Sequence, residues 1–358
     1  MATLSFRLGP LRSNLDRIAE FCGRRGLKFL PVTKVIQSRP DLLAALGHPV
    51  LARVADVHPE NLAKLDPTLH PDRVILRPNH SGAAAAARHA TRVFLSDPRL
   101  GQVLGRARQG LWPGKPLEVM VMVEGGDLRD GVPWEALPEV IRILAAEPGL
   151  SVEGLGVNFG CLAGAVPDAA ALDRLADGLA QTRKATGHPL REFSLGGTVF
   201  WDHLRDHAIP GEFTELRVGE AAFFGWNTSL GSSIPELDPD VFRMDLEVLE
   251  VWEKNVPGPG EGTFGLNAFG VEPVHALTGR RLRAVLDGGE NLAPYRALSP
   301  LAPGCILVGE THEYTVADVT GLDTEPVPGT SLSFRPGYEA VARSFLSPFL
   351  ELNVGEEP

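Results

Sequence analysis

Phe29-Leu30-Pro31-Val32-Thr33-Lys34-Val35-Ile36 is a short apolar run that carries one lysine. A lysine at the end of a buried strand is costly to leave charged and unpaired, so burial there favours the neutral amine. A neutral lysine amine is the group that forms a Schiff base with a carbonyl. The same lysine could equally turn outward at a strand end, so the meaning of Lys34 depends on the segments around it.

Upstream, Thr3 to Arg7 reads as a strand and Pro10 to Arg25 as a helix, with Leu11, Leu15, Ile18, Ala19 and Cys22 on one face and Gly26 as its stop. Downstream, β-type runs recur at Lys28 to Val32, Val50 to Val54, Arg73 to Leu76, Arg92 to Leu95, Glu118 to Val123, Val152 to Val157, Glu192 to Leu195 and Glu212 to Val218. Helical segments lie between them at Pro40 to Leu46, Pro59 to Leu65, Gly82 to Ala90, Pro98 to Gln109, Pro133 to Ala146, Asp168 to Ala185 and Val199 to Asp206. Strands alternating with helices predict parallel βαβ units, and eight of them in about 200 residues is the size of a (β/α)8 TIM barrel. A doubly wound open sheet has a similar rhythm with fewer strands, and no GxGxxG opens a helix after the first strand. The barrel is the expected fold.

From Asp240 the rhythm changes. Phe242, Met244, Leu246 and Val248 alternate with Arg243, Asp245, Glu247 and Leu249, which is the period of an antiparallel strand with one buried face. Similar runs follow at Arg281 to Leu286, Ile306 to Val308, Tyr314 to Val319 and Ser331 to Phe334. The expected architecture is α/β: a (β/α)8 barrel over residues 1–230 followed by a mainly antiparallel β-domain over 231–358, with residues 2–8 a candidate extra strand of the latter.

With 44% hydrophobic and 22% charged residues among 358, the chain reads as globular. A formal net charge of -11 argues against nucleic acid or an anionic membrane as main partner. The start, MATLSFRLGP, lacks a basic segment followed by an apolar core, and no apolar run reaches the ~18 residues of a membrane span. Cys22, Cys161 and Cys305 are odd in number and far apart, with no CxxC, HxH or HxxC spacing. Neither a disulfide framework nor a metal site is expected, and a reducing cytoplasm fits best.

In such a barrel, chemistry sits just after the carboxyl ends of the strands. Polar residues at the expected ends are Lys34, Arg53 with Asp56, Arg77, Ser96, Glu124, Asn158, Gly196-Gly197-Thr198 and Arg217. Paired glycines let backbone amides approach an oxyanion, the following helix offers its positive end, and the last two strands of barrels often hold phosphate. Glycines before a helix are also ordinary turn chemistry. A lysine amine and a phosphate cradle at one barrel mouth together point to pyridoxal 5'-phosphate, which needs both.

Longer motifs run through most of the chain in a fixed order. They are Pro31-Val32-Thr33-Lys34-Val35, Gly126-Asp127-Leu128-Arg129-Asp130-Gly131, Gly154-Leu155-Gly156-Val157-Asn158-Phe159-Gly160-Cys161 and Leu216-Arg217-Val218-Gly219-Glu220-Ala221. Asn267-Ala268-Phe269-Gly270, Gly337-Tyr338-Glu339 and Ser347-Pro348-Phe349 follow. In this order they resemble the alanine-racemase-type group (fold type III) of pyridoxal phosphate enzymes, and more closely its ornithine/lysine amino-acid racemase branch. The resemblance implies that Lys34 anchors the cofactor and then serves as base or acid at the substrate α-carbon. It implies that Arg217 faces the pyridine nitrogen and that Tyr338 reaches the cofactor phosphate. Arg77, Asn158, Gly196, Gly197, Thr198 and Gly219 complete the cofactor-binding candidates. It further implies a free amino acid as substrate and a homodimer with shared active sites. An arginine stays charged and cannot take the ring proton, so Arg217 favours reversible α-proton transfer over decarboxylation, for which a fold-related decarboxylase carries an acidic residue there.

Two departures from the group stand out. Relatives commonly carry Ser-Gly-Gly-Asn where this chain has Ser194-Leu195-Gly196-Gly197-Thr198-Val199-Phe200, and Gln-Asp where it has Leu266-Asn267. Racemisation needs a proton donor on the face opposite Lys34, and leucine cannot serve. Candidates are His312 and Cys161, then Thr311, Tyr314 and His80, while Glu124 is a candidate substrate contact. The expected activity is an amino-acid racemase or epimerase that abstracts the α-proton from a Schiff base of cofactor and substrate. The alternatives are a pyridoxal phosphate-dependent lyase, an aldolase or dehydratase on a hydroxy amino acid, and a non-catalytic pyridoxal phosphate-binding protein.

Overall fold

The β-type runs between Lys28 and Val218 form one parallel sheet. The computed structural model describes residues 2–356 apart from 259, 263 and 273–276. After β1 (Thr3–Arg7) come β2 (Lys28–Pro31), β3 (Arg53–Asp56), β4 (Asp72–Ile75), β5 (Arg92–Leu95), β6 (Leu117–Val123), β7 (Leu150–Asn158), β8 (Glu192–Gly196) and β9 (Glu215–Val218). Among the described residues the sheet holds eight strands in the order β2-β9-β8-β7-β6-β5-β4-β3. A parallel bridge between Val32 and Ala55, with Thr33 N–H donating to the Ala55 carbonyl at 2.9 Å, joins its two ends. The result is the expected (β/α)8 barrel, filled by Leu30, Val32, Ala55, Val74, Phe94, Met120 and Met122.

Helices follow the strands in the segments where the sequence predicted them. Asp97 accepts from the Arg99 amide at the start of Pro98–Leu111, and Asp168 from the Ala171 amide at the start of Ala169–Thr186. The alanine-rich helix Ala83–His89 buries Ala83, Ala86 and Ala87, which allows close packing. None of the described helices is long and apolar enough to cross a membrane.

Several boundaries differ from expectation, among them the helix after β3, which ends at Leu62, and β9, which starts at Glu215; two others have a clear local cause. Pro49 opens a 3-10 turn over Pro49–Ala52, with His48 Nδ1 accepting from the Val50 amide at 3.3 Å, so β3 starts only at Arg53. Arg53 therefore stands at the amino end of its strand, opposite to where the sequence suggested. Pro133 likewise initiates a turn, its carbonyl accepting from Ala136 N–H at 3.0 Å, and delays the helix to Leu137–Ala145.

The amino end of the barrel is floored by charges. Arg92 reaches Glu118 at 2.7 Å and Glu192 at 2.8 Å, and Arg53 reaches Asp72 at 2.5 Å and Glu215 at 2.7 Å. Desolvation largely offsets the Coulomb gain of such buried pairs, yet removing one partner is expensive.

The chain divides into two units, Leu11–Pro239 and Met1–Pro10 with Asp240–Pro358. In the first, β10 (Trp226–Asn227) and β11 (Ser232–Ser233) form a small ribbon. The second is built on β12 (Phe242–Val256), β13 (Gly279–Asp287), β14 (Leu298–Pro300), β15 (Ile306–Glu310), β16 (Tyr314–Asp318), β17 (Ser331–Pro336) and β18 (Glu351–Gly355). Its path is β14-β17-β12-β13-β16-β15, and β1 pairs antiparallel with β12 and parallel with β18. Along β12, Phe242, Met244, Leu246 and Val248 are buried while Arg243, Asp245 and Glu247 are half-buried, which is the period of two read from the sequence.

Candidate active site

Lys34 opens a 3-10 turn, Lys34–Ile36, beyond the end of β2. Gln37 and Ser38 close it in left-handed conformations, φ 55° and 45°, and the Ser38 amide donates back to the Thr33 carbonyl at 3.1 Å. Beneath the turn lies a buried polar chain that the sequence did not reveal. The Thr33 and Ser38 hydroxyls lie 2.7 Å apart, and Ser38 donates to Asp56 Oδ2 at 2.6 Å. Asp56 Oδ1 accepts from the amides of Val57 at 2.6 Å and His58 at 2.9 Å, and Asn61 Nδ2 lies 3.3 Å from both carboxylate oxygens. The Lys34 side chain itself is exposed, the outward position of the two that the sequence left open. The strand stops at Pro31, and the turn buries Val35 and Ile36 instead, leaving Lys34 above them. Asp56→Ala leaves these donors without acceptors, so we expect a loss of about 3 kcal/mol of folding stability in chemical denaturation. An unchanged denaturation midpoint would show that the turn is held by other means.

Arg217, on β9, is buried in the barrel. Its Nη1 donates to the Ser194 carbonyl at 3.0 Å and the Ser194 hydroxyl at 2.7 Å, and its Nη2 to the Val157 carbonyl at 2.7 Å. The guanidinium lies over the Phe94 ring, 4.6 Å from its centre. Burial pushes its pKa down to about 10, with Glu215 the strongest opposing influence. It remains cationic at neutral pH.

The glycines around it are demanded by space and conformation. A Cβ on Gly196 would lie 1.9 Å from Arg217 Nη2 and 2.6 Å from Asn158 Oδ1. Gly197 has φ +113°, and a Cβ on Gly219 would come within 3.1 Å of the Val32 carbonyl. Thr198 is buried, and its hydroxyl accepts from the Ala221 amide at 3.1 Å, tying the turn after β8 to the turn after β9.

A second cluster joins the loops after β6 and β7. Asp127, buried, accepts from the amides of Cys161 at 2.8 Å and Leu162 at 2.9 Å. Asn158 Nδ2 donates to Cys161 Sγ at 3.0 Å and approaches Asp127 Oδ2 at 3.4 Å. Arg129 lies 3.2 Å from Asp130 and 3.7 Å from Asp127. Glu124 accepts from the amides of Gly126 and Leu128, so it shapes its own loop. Glu220 is a further group whose role the sequence did not suggest. Burial pushes its carboxyl pKa up, while the Thr228 hydroxyl and the charge of Lys34 pull it down.

Other candidates lie outside these clusters. Arg77 is exposed past β4, and the exposed His80 has Nε2 3.8 Å from Asp97. In the second unit His312 is exposed and packs edge-on against Phe269, 4.8 Å between ring centres. Thr311 Oγ1 accepts from the Tyr314 amide at 3.1 Å, the exposed Tyr314 starts β16, and the half-buried Tyr338 starts the helix Tyr338–Ser344. Among the described residues no group of three or more His, Cys, Asp or Glu side chains is arranged to hold a metal ion.

The barrel mouth therefore offers an accessible amine at Lys34, a guanidinium whose Nε makes no hydrogen bond among the described residues, and two joined turns whose glycines leave backbone open. Those features fit a group that combines a carbonyl, a ring acceptor and a phosphate, and with the closed barrel they define a lysine-centred barrel enzyme. The family model for the alanine racemase N-terminal domain matches residues 7–226, and the chain belongs to that family. It is similar to ornithine racemase of Acetoanaerobium sticklandii, 29% identical over 97% of this chain and 98% of that one. It is also similar to lysine racemase of Thermotoga maritima, 27% identical over 97% of each. The solved alanine racemase of Streptomyces coelicolor shares the fold, with a TM-score of 0.72 at 20% identity over 99% of this chain and 98% of that one.

Proposed function

We propose that the protein is a pyridoxal phosphate-dependent amino-acid racemase with a basic amino acid, such as ornithine or lysine, as its substrate. The observation that carries the reading is Arg217, a buried cation locked at the barrel mouth beside the Gly196 turn. The full-length similarity to an ornithine racemase and a lysine racemase supports it and disfavours the lyase and carrier alternatives. Pyridoxal phosphate, when bound, supplies the electron sink that acidifies the α-C–H of an amino acid.

Lys34 would hold the cofactor and move the α-proton on one face of the substrate. Arg217 would face the ring nitrogen and, being unable to accept a proton, keep it unprotonated. Gly196, Gly197, Thr198 and Gly219 would hold the phosphate through backbone amides and the Thr198 hydroxyl, with Tyr338 and Arg77 as further contacts. Asn158, against the Gly196 turn, would orient the ring. Cys161 and His312 lead the candidates for the opposite-face proton, and the bond from Asn158 to the Cys161 sulfur favours Cys161. We place the enzyme in the cytoplasm as a homodimer. The dimer is supported by exposed Phe264, Leu266, Phe269 and Val271, which lie close together in one segment of the second unit.

The test incubates the protein and pyridoxal phosphate with single L-amino acids in heavy water. The expected outcome is D-ornithine or D-lysine bearing deuterium at the α-carbon, with Cys161→Ala exchanging deuterium but inverting poorly. An absence of exchange across all amino acids removes the racemase reading, and loss of a β-hydroxyl group or a carbon-carbon bond replaces it with the lyase. Sedimentation at the mass of one chain would remove the dimer.

A further inference from the structure

Arg217 is the upper end of a buried chain of contacts that runs down inside the barrel. Its Nη1 donates to the Ser194 hydroxyl at 2.7 Å, and that hydroxyl donates to Glu215 Oε1 at 2.5 Å. Glu215 Oε2 in turn meets Arg53 Nη1 at 2.7 Å and Arg92 Nη1 at 3.5 Å. Ser194 and Glu215 have 0% of their surface exposed, and Arg217 has 5%.

Strand geometry explains the arrangement. Glu215 and Arg217 are two residues apart on β9 and so share a face, and the β8–β9 register sets Ser194 beside Glu215 and Gly196 beside Arg217. The missing side chain at Gly196 leaves the space that the guanidinium occupies. A Ser-x-Gly strand next to a Glu-x-Arg strand thus builds the relay.

Charge accounting gives Glu215 a particular place. Arg53 has Asp72 as a second partner, and Arg92 has Glu118 and Glu192, the latter also held by Lys28 at 3.3 Å. Glu215 is therefore shared, its Oε2 pairing with Arg53 and Arg92 at the barrel floor and its Oε1 reaching Arg217 through the Ser194 hydroxyl. The other charged or titratable groups that influence Arg217 sit at the mouth: Asp130 and Arg129 from the loop after β6 and Cys161 from the loop after β7.

We infer that Glu215, acting through the Ser194 hydroxyl, is the positioning residue for Arg217, supplying the buried counter-charge that fixes the guanidinium and sets how readily a proton is accepted at the cofactor beside it. The inference rests on the proposed pyridoxal phosphate reading. Removing the carboxylate leaves Arg217, Arg53 and Arg92 less compensated, and their combined positive field opposes protonation at the mouth. Loss of the carboxylate acts through this field even if Glu215 positions nothing, whereas Ser194→Ala changes no charge and reports the positioning of the guanidinium alone.

The test is a pH titration of the visible absorbance of the cofactor-loaded protein, with thermal melting in parallel. We expect Glu215→Gln to move the titration midpoint down by about one pH unit and Glu215→Asp to return it toward the parent value. Ser194→Ala keeps every ion pair and removes only the buried hydroxyl's two bonds, so it should lose less stability than Glu215→Gln. It should shift the midpoint the same way by a smaller amount and weaken cofactor binding several-fold. Ser194→Ala keeps the inference testable if Glu215→Gln fails to fold. A cofactor band that is retained in Ser194→Ala with an unmoved midpoint overturns the inference alone. A parent protein that develops no band with added pyridoxal phosphate overturns the proposed function and this inference together.

Discussion

Lys34→Ala should abolish the visible absorbance of bound pyridoxal phosphate and lower racemisation by about 10³-fold or more. The change removes the amine that follows β2 and its electrostatic influence on Glu220. Thr33, Val35 and Ile36 carry the burial of this turn, and its backbone bonds do not involve the lysine side chain. Stability should stay within about 1 kcal/mol of the parent, since the buried side chains of the turn are unchanged, which separates loss of function from loss of fold. Lys28, at the other end of the same strand, pairs with Glu192 and should be replaceable without loss of the band. A Lys34→Ala protein that still shows the band would place the anchor elsewhere and end this assignment.

Gly196→Ala should be nearly as damaging to activity. The added methyl group would lie 1.9 Å from Arg217 Nη2 and 2.6 Å from Asn158 Oδ1, so the guanidinium must leave its bond to the Val157 carbonyl. Overpacking of this kind costs about 1–3 kcal/mol of stability. The displacement of Arg217 from the ring-binding position should cost about 10²-fold in turnover. Gly211→Ala is the reference, because nothing lies within 4 Å of its added Cβ. Melting temperature and initial rates measured on the two variants decide the matter. If Gly196→Ala behaves like Gly211→Ala, Arg217 is not held in the way described.

Much of the architecture was legible because it is encoded locally. The alternation of apolar β-type runs with helical segments identified the eight barrel strands, and period-two spacing from Phe242 to Val248 identified the strand on which the second sheet is built. The collinear motifs led to the family that the comparison bears out. Errors arose where a turn residue competed with a strand pattern. Val50 to Val54 has strand composition, but Pro49 and the His48 cap hold its first part in a 3-10 turn, which moved Arg53 to the other end of the barrel. A related cause decided between the two positions left open for Lys34, since the β-type run extends past Pro31 in composition but the backbone turns there.

By itself, the sequence determined the two-part organisation, the family and the position of Lys34 after the first barrel strand. Those properties follow from periodicity and motif order, which depend on residues near one another along the chain. Only the tertiary structure decided which polar groups meet: Ser38 with Asp56, Asn158 with Cys161, and Ser194 with Glu215 and Arg217. These contacts depend on strand register and on loops brought together from distant segments. A shift of one residue between β8 and β9 would turn Ser194 away from Glu215 while leaving every local pattern unchanged.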